Sequence, residues 1–407
     1  MVLGGLLGLA VVAAALAAAL LSLLRPTPGE WSAPWQVGPW QMELSVPATL
    51  RMATHPMVLR LLEGRRWQTS MGAIEWRAGD APHTWHAECA PCRLRLPALG
   101  DEPVQLLRVH VRLERVGQSA WRGDFALGEP SRAVRGRWQA GFEPRGAELR
   151  VQLPDTPIAD AYALFADTIP EVKHARIDGH VAIDARLRWP QHELAVQPRL
   201  RGFVVSGLGT EALLNATPGC PKPTRGFGAW LPRAVLAAED QRFHEHTGYD
   251  LPAMVDAWSQ NTQAGTATHG GSTLTQQLAK LLYTGDDRHH LRKLRELLYA
   301  VELDRVLGKA RVLHLYLSIA PWGEGRCGAA SASLHHLRKR VDKLTPIEAA
   351  WLASLLHGPD REAARWVQEG QVDVERVGWV IAHLRPMNAE RRAALIERLA
   401  GWTPPPR

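Results

Sequence analysis

Between Glu30 and Gly209 apolar residues recur at every second position. In LRVHVRLE, Leu107, Val109, Val111 and Leu113 alternate with Arg108, His110, Arg112 and Glu114; in HVAIDARLRW, Val181, Ile183, Ala185, Leu187 and Trp189 do the same. Successive side chains of a strand point to opposite faces, so this period of two predicts half-buried strands. AELRVQL and LRGFVV add further strands, separated by Gly, Pro and Asp, and only IADAYALFADTI breaks in with helical spacing. The first half therefore reads as an antiparallel β-rich domain.

The period changes after NATPGCPKPTRGFG, which is dense in Pro and Gly and has no apolar repeat, as a linker would be. From Leu231 onward apolar residues fall three and four apart, as in LRKLRELLYAVEL and IEAAWLASLL, which predicts helices. The expected class is α+β and multi-domain: an apolar anchor at 1–25, a β-rich accessory domain at 26–215, a linker at 216–230, a mainly helical domain at 231–360 and a helical extension at 361–407. No internal repeat of 20–50 residues is evident.

The anchor rests on Val2 to Leu24, an uncharged run of 23 residues. At about 1.5 Å of rise per residue this matches the length that crosses a hydrocarbon core. A cleaved signal peptide fits less well, because its apolar region is usually about 7–15 residues long and follows basic residues that are absent here. Arg25 beyond the run favours, by the positive-inside tendency, a cytoplasmic body.

With 407 residues, 46% hydrophobic and 22% charged, the chain has globular composition and length for two or three domains. Its net charge of +7 concentrates in the second half, in RHHLRKLRE and LHHLRKR. Such patches suit an anionic ligand or membrane surface; no nucleic-acid module accompanies them. Of four cysteines, Cys89 and Cys92 form CAPC, while Cys220 and Cys327 stand alone. Without a second CxxC or a thioredoxin-like βαβ pattern, CAPC reads as a structural disulfide or two thiols rather than a zinc or redox site. Nine of sixteen tryptophans precede residue 190, where packing in a sheet explains them better than a sugar or lipid surface.

Three stretches of the helical half carry chemistry. GGSTLTQQLAK sets two glycines before Ser272 and Thr273, both good N-caps, and a helix bearing Gln276, Gln277 and Lys280. Close backbone approach and free N–H groups there favour an anion, although an ordinary loop and cap would look alike. DRHHLRKLRELL stacks Arg288, Arg292 and Arg295 along one helix side with Glu296, either as a solvated salt-bridge face or as a clamp whose Arg forks bind phosphate oxygens. AAEDQRFHEHTG offers Glu239, Asp240, His244 and His246; a metal site is disfavoured, because histidines separated by one residue point in different directions on a helix and no third ligand is nearby.

Together these stretches resemble motifs of the peptidoglycan glycosyltransferases of family 51, the polymerase domain of class A penicillin-binding proteins. EDQRFHEHTG resembles EDxxFxxHxG, GGSTLTQQLAK resembles GGSTxTQQxxK, and RKLRE resembles RKxxE; KARVLHLYLS and LTPIEAAWLASLLHGP look like the next two segments. The resemblance spans Leu231 to Pro359. It implies a lysozyme-like helical fold that joins lipid II units by β-1,4 linkages at the outer face of the cytoplasmic membrane, with release of polyprenyl pyrophosphate.

By this resemblance Glu239 is the general base and Glu296 the second essential carboxylate. Lys280 and Arg288 stabilise charge on the leaving pyrophosphate, and Arg292, Lys293 and Arg295 complete that site. Ser272, Thr273, Gln276 and Gln277 form the donor-side wall, while Asp240, Phe243 and His246 shape the acceptor side. Mg2+ or Mn2+ bridging pyrophosphate oxygens is compatible with this chemistry, but no dedicated ligand set is visible and no metal ligand is assigned. The implied partners are lipid II, the growing glycan strand, the cytoplasmic membrane and, through the β-rich domain, other cell-wall-synthesis proteins; nucleic acid is not among them. Polymerisation outside the membrane outweighs Arg25 and implies a single-pass protein with its N-terminus inside.

The chain departs from the family pattern at Leu281, His314 and Ser318, where Asn, Glu and Asn are usual, and at His336 and Leu337, where an aromatic pair is usual. These departures motivate an alternative, an impaired scaffold that binds lipid II or synthesis partners. No SxxK or KTG motif provides a transpeptidase nucleophile. A lytic enzyme of lysozyme type would not need Lys280 and Arg288.

Overall fold

The computed structural model describes residues 22–28, 30–37, 40–53, 55–94, 103–117, 119–191, 193–215, 220, 226–264, 270–285, 291–370 and 372–405. They form two compact units, one of residues 1–167 and 178–203, the other of residues 168–177 and 204–407. No described helix is long and apolar enough to cross a membrane. The expected anchor falls almost wholly on residues 1–21, outside the described residues.

The α+β expectation holds. The first unit is built on a nine-stranded antiparallel sheet, with β1 (Ser32–Val37) and β2 (Trp40–Ser45) paired separately. The remaining strands are β3 (Arg66–Thr69), β4 (Gly72–Ala78), β5 (Thr84–Cys89), β6 (Cys92–Leu94), β7 (Val104–Leu106), β8 (Val109–Arg115), β9 (Ala120–Leu127), β10 (Val134–Glu143), β11 (Gly146–Pro157), β12 (Arg176–Trp189) and β13 (Glu193–Ser206). The large sheet runs β13-β12-β11-β10-β9-β8-β5-β4-β3, and β6 pairs with β7.

Register explains why period two dominates this half. Trp121 lies opposite Ala140, Ala140 opposite Leu149, and Leu149 opposite Leu187, so the apolar set of each strand falls in one row. A slip by one residue would turn the whole set to the other face. Helices α1 (Val46–Ala53) and α2 (Pro56–Leu62) follow β2, and Leu59 of α2 is buried with Trp85 and Trp121. The helical pattern in IADAYALFADTI becomes α3 (Ile158–Ala163), whose Tyr162 stacks on Phe203. Cys89 and Cys92 are bonded to each other, as a structural disulfide reading expects.

The second unit holds α4 (Leu231–Glu239), α5 (Leu251–Ala264), α6 (Leu274–Ala279) with a π turn at Lys280–Thr284, and α7 (Arg292–Ile319). Then come α8 (Ala329–Leu337), α9 (Pro346–Ser354), α10 (Pro359–Glu369), α11 (Val374–His383) and α12 (Ala389–Leu399). Its core is one cluster joining Leu231, Leu274, Leu303, Leu315, Leu352 and Trp322 to Val377, Ile381 and Leu395 of the last two helices. Residues 361–407 thus share the core of the helical unit.

Two glycines act through their backbones. Gly308 sits inside α7 at φ 70° and ψ 165°, so the long apolar pattern folds as two helical pieces with a break between them. Gly248 has φ 85°, and a Cβ there would lie 2.4 Å from the Ala300 carbonyl oxygen, which leaves room only for glycine. The segment before α4 is pinned to α7: buried Glu302 accepts from the Leu208 N–H at 3.0 Å and from the Thr210 hydroxyl at 3.0 Å, and Arg311 donates to the Leu213 carbonyl. Cys220 is bonded to Cys327, a link that spans 107 residues and that neither cysteine's surroundings in the sequence announced.

Candidate active site

Glu239 is the last residue of α4. That helix starts with Pro232 in its first turn, buries Leu231, Ala234, Val235 and Ala238, and packs against α9 and α11. Its end is held by Asp240, which is buried. Asp240 accepts from His246 Nε2 at 3.0 and 3.1 Å and from the Leu274 N–H at 2.9 Å, tying the end of α4 to the start of α6. Phe243 is buried beneath, edge-on to both His244 and His246, with Lys309 Nζ 4.5 Å above its ring. His244 itself is exposed and takes no part in this tie.

The start of α6 is a capping box: the Thr273 hydroxyl accepts from the Gln276 N–H, and the Gln276 side chain accepts from the Thr273 N–H at 2.8 Å. Thr273 also donates to the Gly248 carbonyl at 2.6 Å. These two residues therefore fix the loop. Gln277, one position on, does face Glu239: its Nε2 donates to Glu239 Oε2 at 3.0 Å. Tyr316 from α7 donates its hydroxyl to Gln277 Oε1 at 2.8 Å, which leaves only the NH2 end of that amide for Glu239. Burial, and next the charge of Glu239, push the Tyr316 phenol well above its usual pKa, so it stays a donor.

Glu239 Oε1 has no hydrogen-bond donor among the described residues. Arg376 Nη2 stands 3.7 Å from it and donates to the Ala238 carbonyl at 3.4 Å, and the Arg376 Cζ lies over the Trp379 ring, 5.1 Å from its centre. The cleft around this carboxylate has a volume of about 540 Å³ and is lined by Glu239, Asp240, Arg242, Asp250, Gly270, Gly271, Ser272, Thr273, Gln277, His357, Arg376 and Trp379.

Glu296 lies in the first turns of α7 and is fully buried. Its Oε2 is 2.7 Å from Lys293 Nζ and its Oε1 is 3.2 Å from Arg292 Nε. Lys293 Nζ also donates to Ser272 Oγ at 3.0 Å, so a residue of the cleft wall is joined through one lysine to the second carboxylate. Arg295 is committed elsewhere: its Nε and Nη2 donate to buried Glu171 at 2.7–3.0 Å. Lys280 opens the π turn after α6 and is not among the residues lining the cleft. Arg288 lies outside the described residues.

Arg376, Trp379 and His357 were not singled out in the sequence. Arg376 and Trp379 are three apart on α11, whose Val377, Val380 and Ile381 are buried in the core. That spacing is the only local trace they leave. A larger groove of about 700 Å³ lies on the sheet unit, lined in part by Trp121, Gln139, Glu148, Arg150, Arg188 and Trp189. Its Glu148 is hydrogen-bonded by both Arg150 and Arg188, so the smaller cleft, where one carboxylate oxygen accepts no hydrogen bond, is the better candidate site.

One carboxylate flanked by a guanidinium and an ammonium is a poor ligand set for Mg2+ or Mn2+, which need several oxygen donors. The described residues around Glu296 therefore do not fit a dedicated divalent site.

The profile of the family described as Transglycosylase matches residues 221–384, a span that includes the cleft and both carboxylates. A biosynthetic peptidoglycan transglycosylase of Ralstonia nicotianae is 41% identical over 154 residues, covering 38% of this chain and 66% of that protein. One of Cupriavidus pinatubonensis is 45% identical over 129 residues, 32% of this chain and 51% of that protein. One of Thiobacillus denitrificans is 32% identical over 224 residues, 54% of this chain and 87% of that protein. The chain belongs to the transglycosylase family. It spans between half and two thirds of the length of the first two of these relatives.

Proposed function

We propose that this protein is a monofunctional peptidoglycan glycosyltransferase that polymerises lipid II into β-1,4-linked glycan strands, releasing polyprenyl pyrophosphate, with a lysozyme-like helical catalytic unit. The observation that carries the reading is the state of Glu239: one oxygen is aimed by a locked Gln277–Tyr316 pair, and the other, buried at the cleft wall beside Arg376, accepts no hydrogen bond. A base must present a fixed lone pair to the attacking hydroxyl, and a positioned carboxylate contributes typically about 10²–10⁴-fold in rate.

In this mechanism Glu239 Oε1 takes the proton of the 4-hydroxyl of the acceptor lipid II as that oxygen attacks the donor's anomeric carbon with inversion. Arg376 sets a positive charge beside the base without occupying it. Lys293 and Arg292, oriented by Glu296, face the leaving pyrophosphate from the Ser272 side, and cations there offset the charge that develops as the bond breaks; the family motif assigns the same role to Lys280 and Arg288. No step passes through a metal ion. The anchor at 1–25 would hold the cleft at the outer face of the inner membrane, and the sheet unit would serve cell-wall-synthesis partners.

The departures at Leu281, His314 and Ser318 lie outside the residues that line the cleft. His314 packs edge-on against buried Phe227, and Ser318 bonds back to the His314 carbonyl. The decisive experiment incubates the full chain with lipid II and separates the products. Wild type is expected to yield glycan strands and Glu239→Gln none. Equal inertness of both, under conditions where a standard polymerase works, would replace the enzyme reading with the scaffold.

A further inference from the structure

Away from the cleft, the turn between α7 and α8 meets the end of α8 in a cluster of different chemistry. Glu324, His335 and His336 each offer a ligand atom, and the three atoms lie within 4.8 Å of one another. His335 Nε2 is 2.8 Å from Glu324 Oε2. His336 is buried, and its Nε2 lies 3.2 Å from the Trp322 carbonyl oxygen. A carbonyl only accepts, so Nε2 carries the proton in this contact and the lone pair of the neutral ring is on Nδ1.

A metal-bound histidine typically has its second N–H directed at a carbonyl or carboxylate, which fixes the tautomer and the ring plane. His336 already has that support. The backbone of Glu324 is held too: its N–H donates to Asp360 Oδ1 at 3.0 Å, and its turn is closed by the Pro321–Cys327 bridge and the Cys220–Cys327 disulfide. His335 and Glu324 are partly exposed and have room to adjust. Bonds of about 2.0–2.1 Å to a tetrahedral ion put neighbouring ligand atoms about 3.3 Å apart, so the 2.8 Å pair opens by about half an ångström and a pair at the 4.8 Å limit closes by about 1.5 Å.

We propose that Glu324, His335 and His336 form a site for a divalent transition metal, Zn2+ by ligand chemistry, with two imidazoles, one carboxylate and a fourth position open to water. The ion would clip the turn carrying Cys327 to α8. The site is separate from the cleft and independent of the reaction proposed above.

Tag-free full-length protein, stripped with a chelator, would be dialysed against buffered Zn2+ and its metal content measured. One Zn2+ per chain is expected in wild type, with a rise in melting temperature. His335→Ala and Glu324→Gln should each weaken binding by at least the roughly 10- to 100-fold typical of disturbing the groups that support a metal ligand, and abolish the stabilisation. These two partly exposed positions decide the matter should a buried His336 variant fail to fold. Wild type holding less than about a tenth of an equivalent, or both variants binding Zn2+ as tightly as wild type, would overturn the proposal.

Discussion

The two units use the same charged residue types to opposite ends. In the sheet unit Glu75, Glu114, Glu148 and Asp155 have pKa values below the usual range, each first through a hydrogen bond from an arginine at the surface: Arg77, Arg122, Arg150 and Arg201 respectively. Such exposed pairs are screened by water and contribute little. In the helical unit Asp240, Glu296 and Glu302 are buried; Asp240 bonds the Leu274 N–H and Glu302 the Thr210 hydroxyl, both far along the chain, while Glu296 pairs with Arg292 and Lys293 of its own helix. Burial turns a charge into a constraint, because an unpaired partner left in the interior is costly. The proposed chemistry accordingly lies where polar groups are buried, and the sheet carries charges that keep its broad surface wet.

Variants can break or sharpen this contrast. The largest effect belongs to Glu239→Gln, expected to lower lipid II turnover by about 10²–10⁴-fold with the fold unchanged by circular dichroism. Arg376→Ala comes next on activity, at roughly tenfold, equivalent to about 1.4 kcal/mol in the barrier. A value indistinguishable from wild type would remove Arg376 from the site.

On stability, loss of the Cys220–Cys327 link, closing 107 residues, should cost about 5 kcal/mol in the loop-entropy description, against about 2 kcal/mol for the short Cys89–Cys92 loop. Urea denaturation of Cys→Ser pairs would measure both. Glu302→Ala orphans the Leu208 N–H and the Thr210 hydroxyl and should cost about 2–5 kcal/mol, whereas Glu148→Gln on the sheet should leave the denaturation midpoint where it is.

The smallest effect concerns pH. Burial, then the nearby charge of Arg311, hold the His314 pKa below its ordinary 6.5. The unfolded chain therefore takes up this proton first as pH falls through 6.5, and stability declines from there down to the folded-state pKa. His314→Gln should lose less stability than wild type between about pH 7.5 and about pH 5.5, and an identical loss would refute the linkage.

Much of this was legible in the chain. The strands read from LRVHVRLE, AELRVQL and HVAIDARLRW became β8, β11 and β12, because alternation is a local property that pairing merely completes. The capping residue of α6 was also readable, since Thr273 and Gln276 meet within one turn. Less accessible was the division of labour among the arginines. Arg292 and Arg295 share a helix side in the sequence, yet one pairs with Glu296 and the other with Glu171, more than a hundred residues away.

What the sequence determined by itself is therefore periodic or motif-bound: two kinds of unit, the order of their elements, and the residues that place the chain beside a known family. Tertiary structure alone decided which oxygen of Glu239 is left unbonded, that Tyr316 locks Gln277, that Arg376 arrives from α11, and that Cys220 finds Cys327. The reason is physical. Helix and strand periods follow from bonds between near neighbours, whereas a buried polar group takes its partner from whatever the packed core brings within about 3 Å, and no spacing along the chain encodes that meeting.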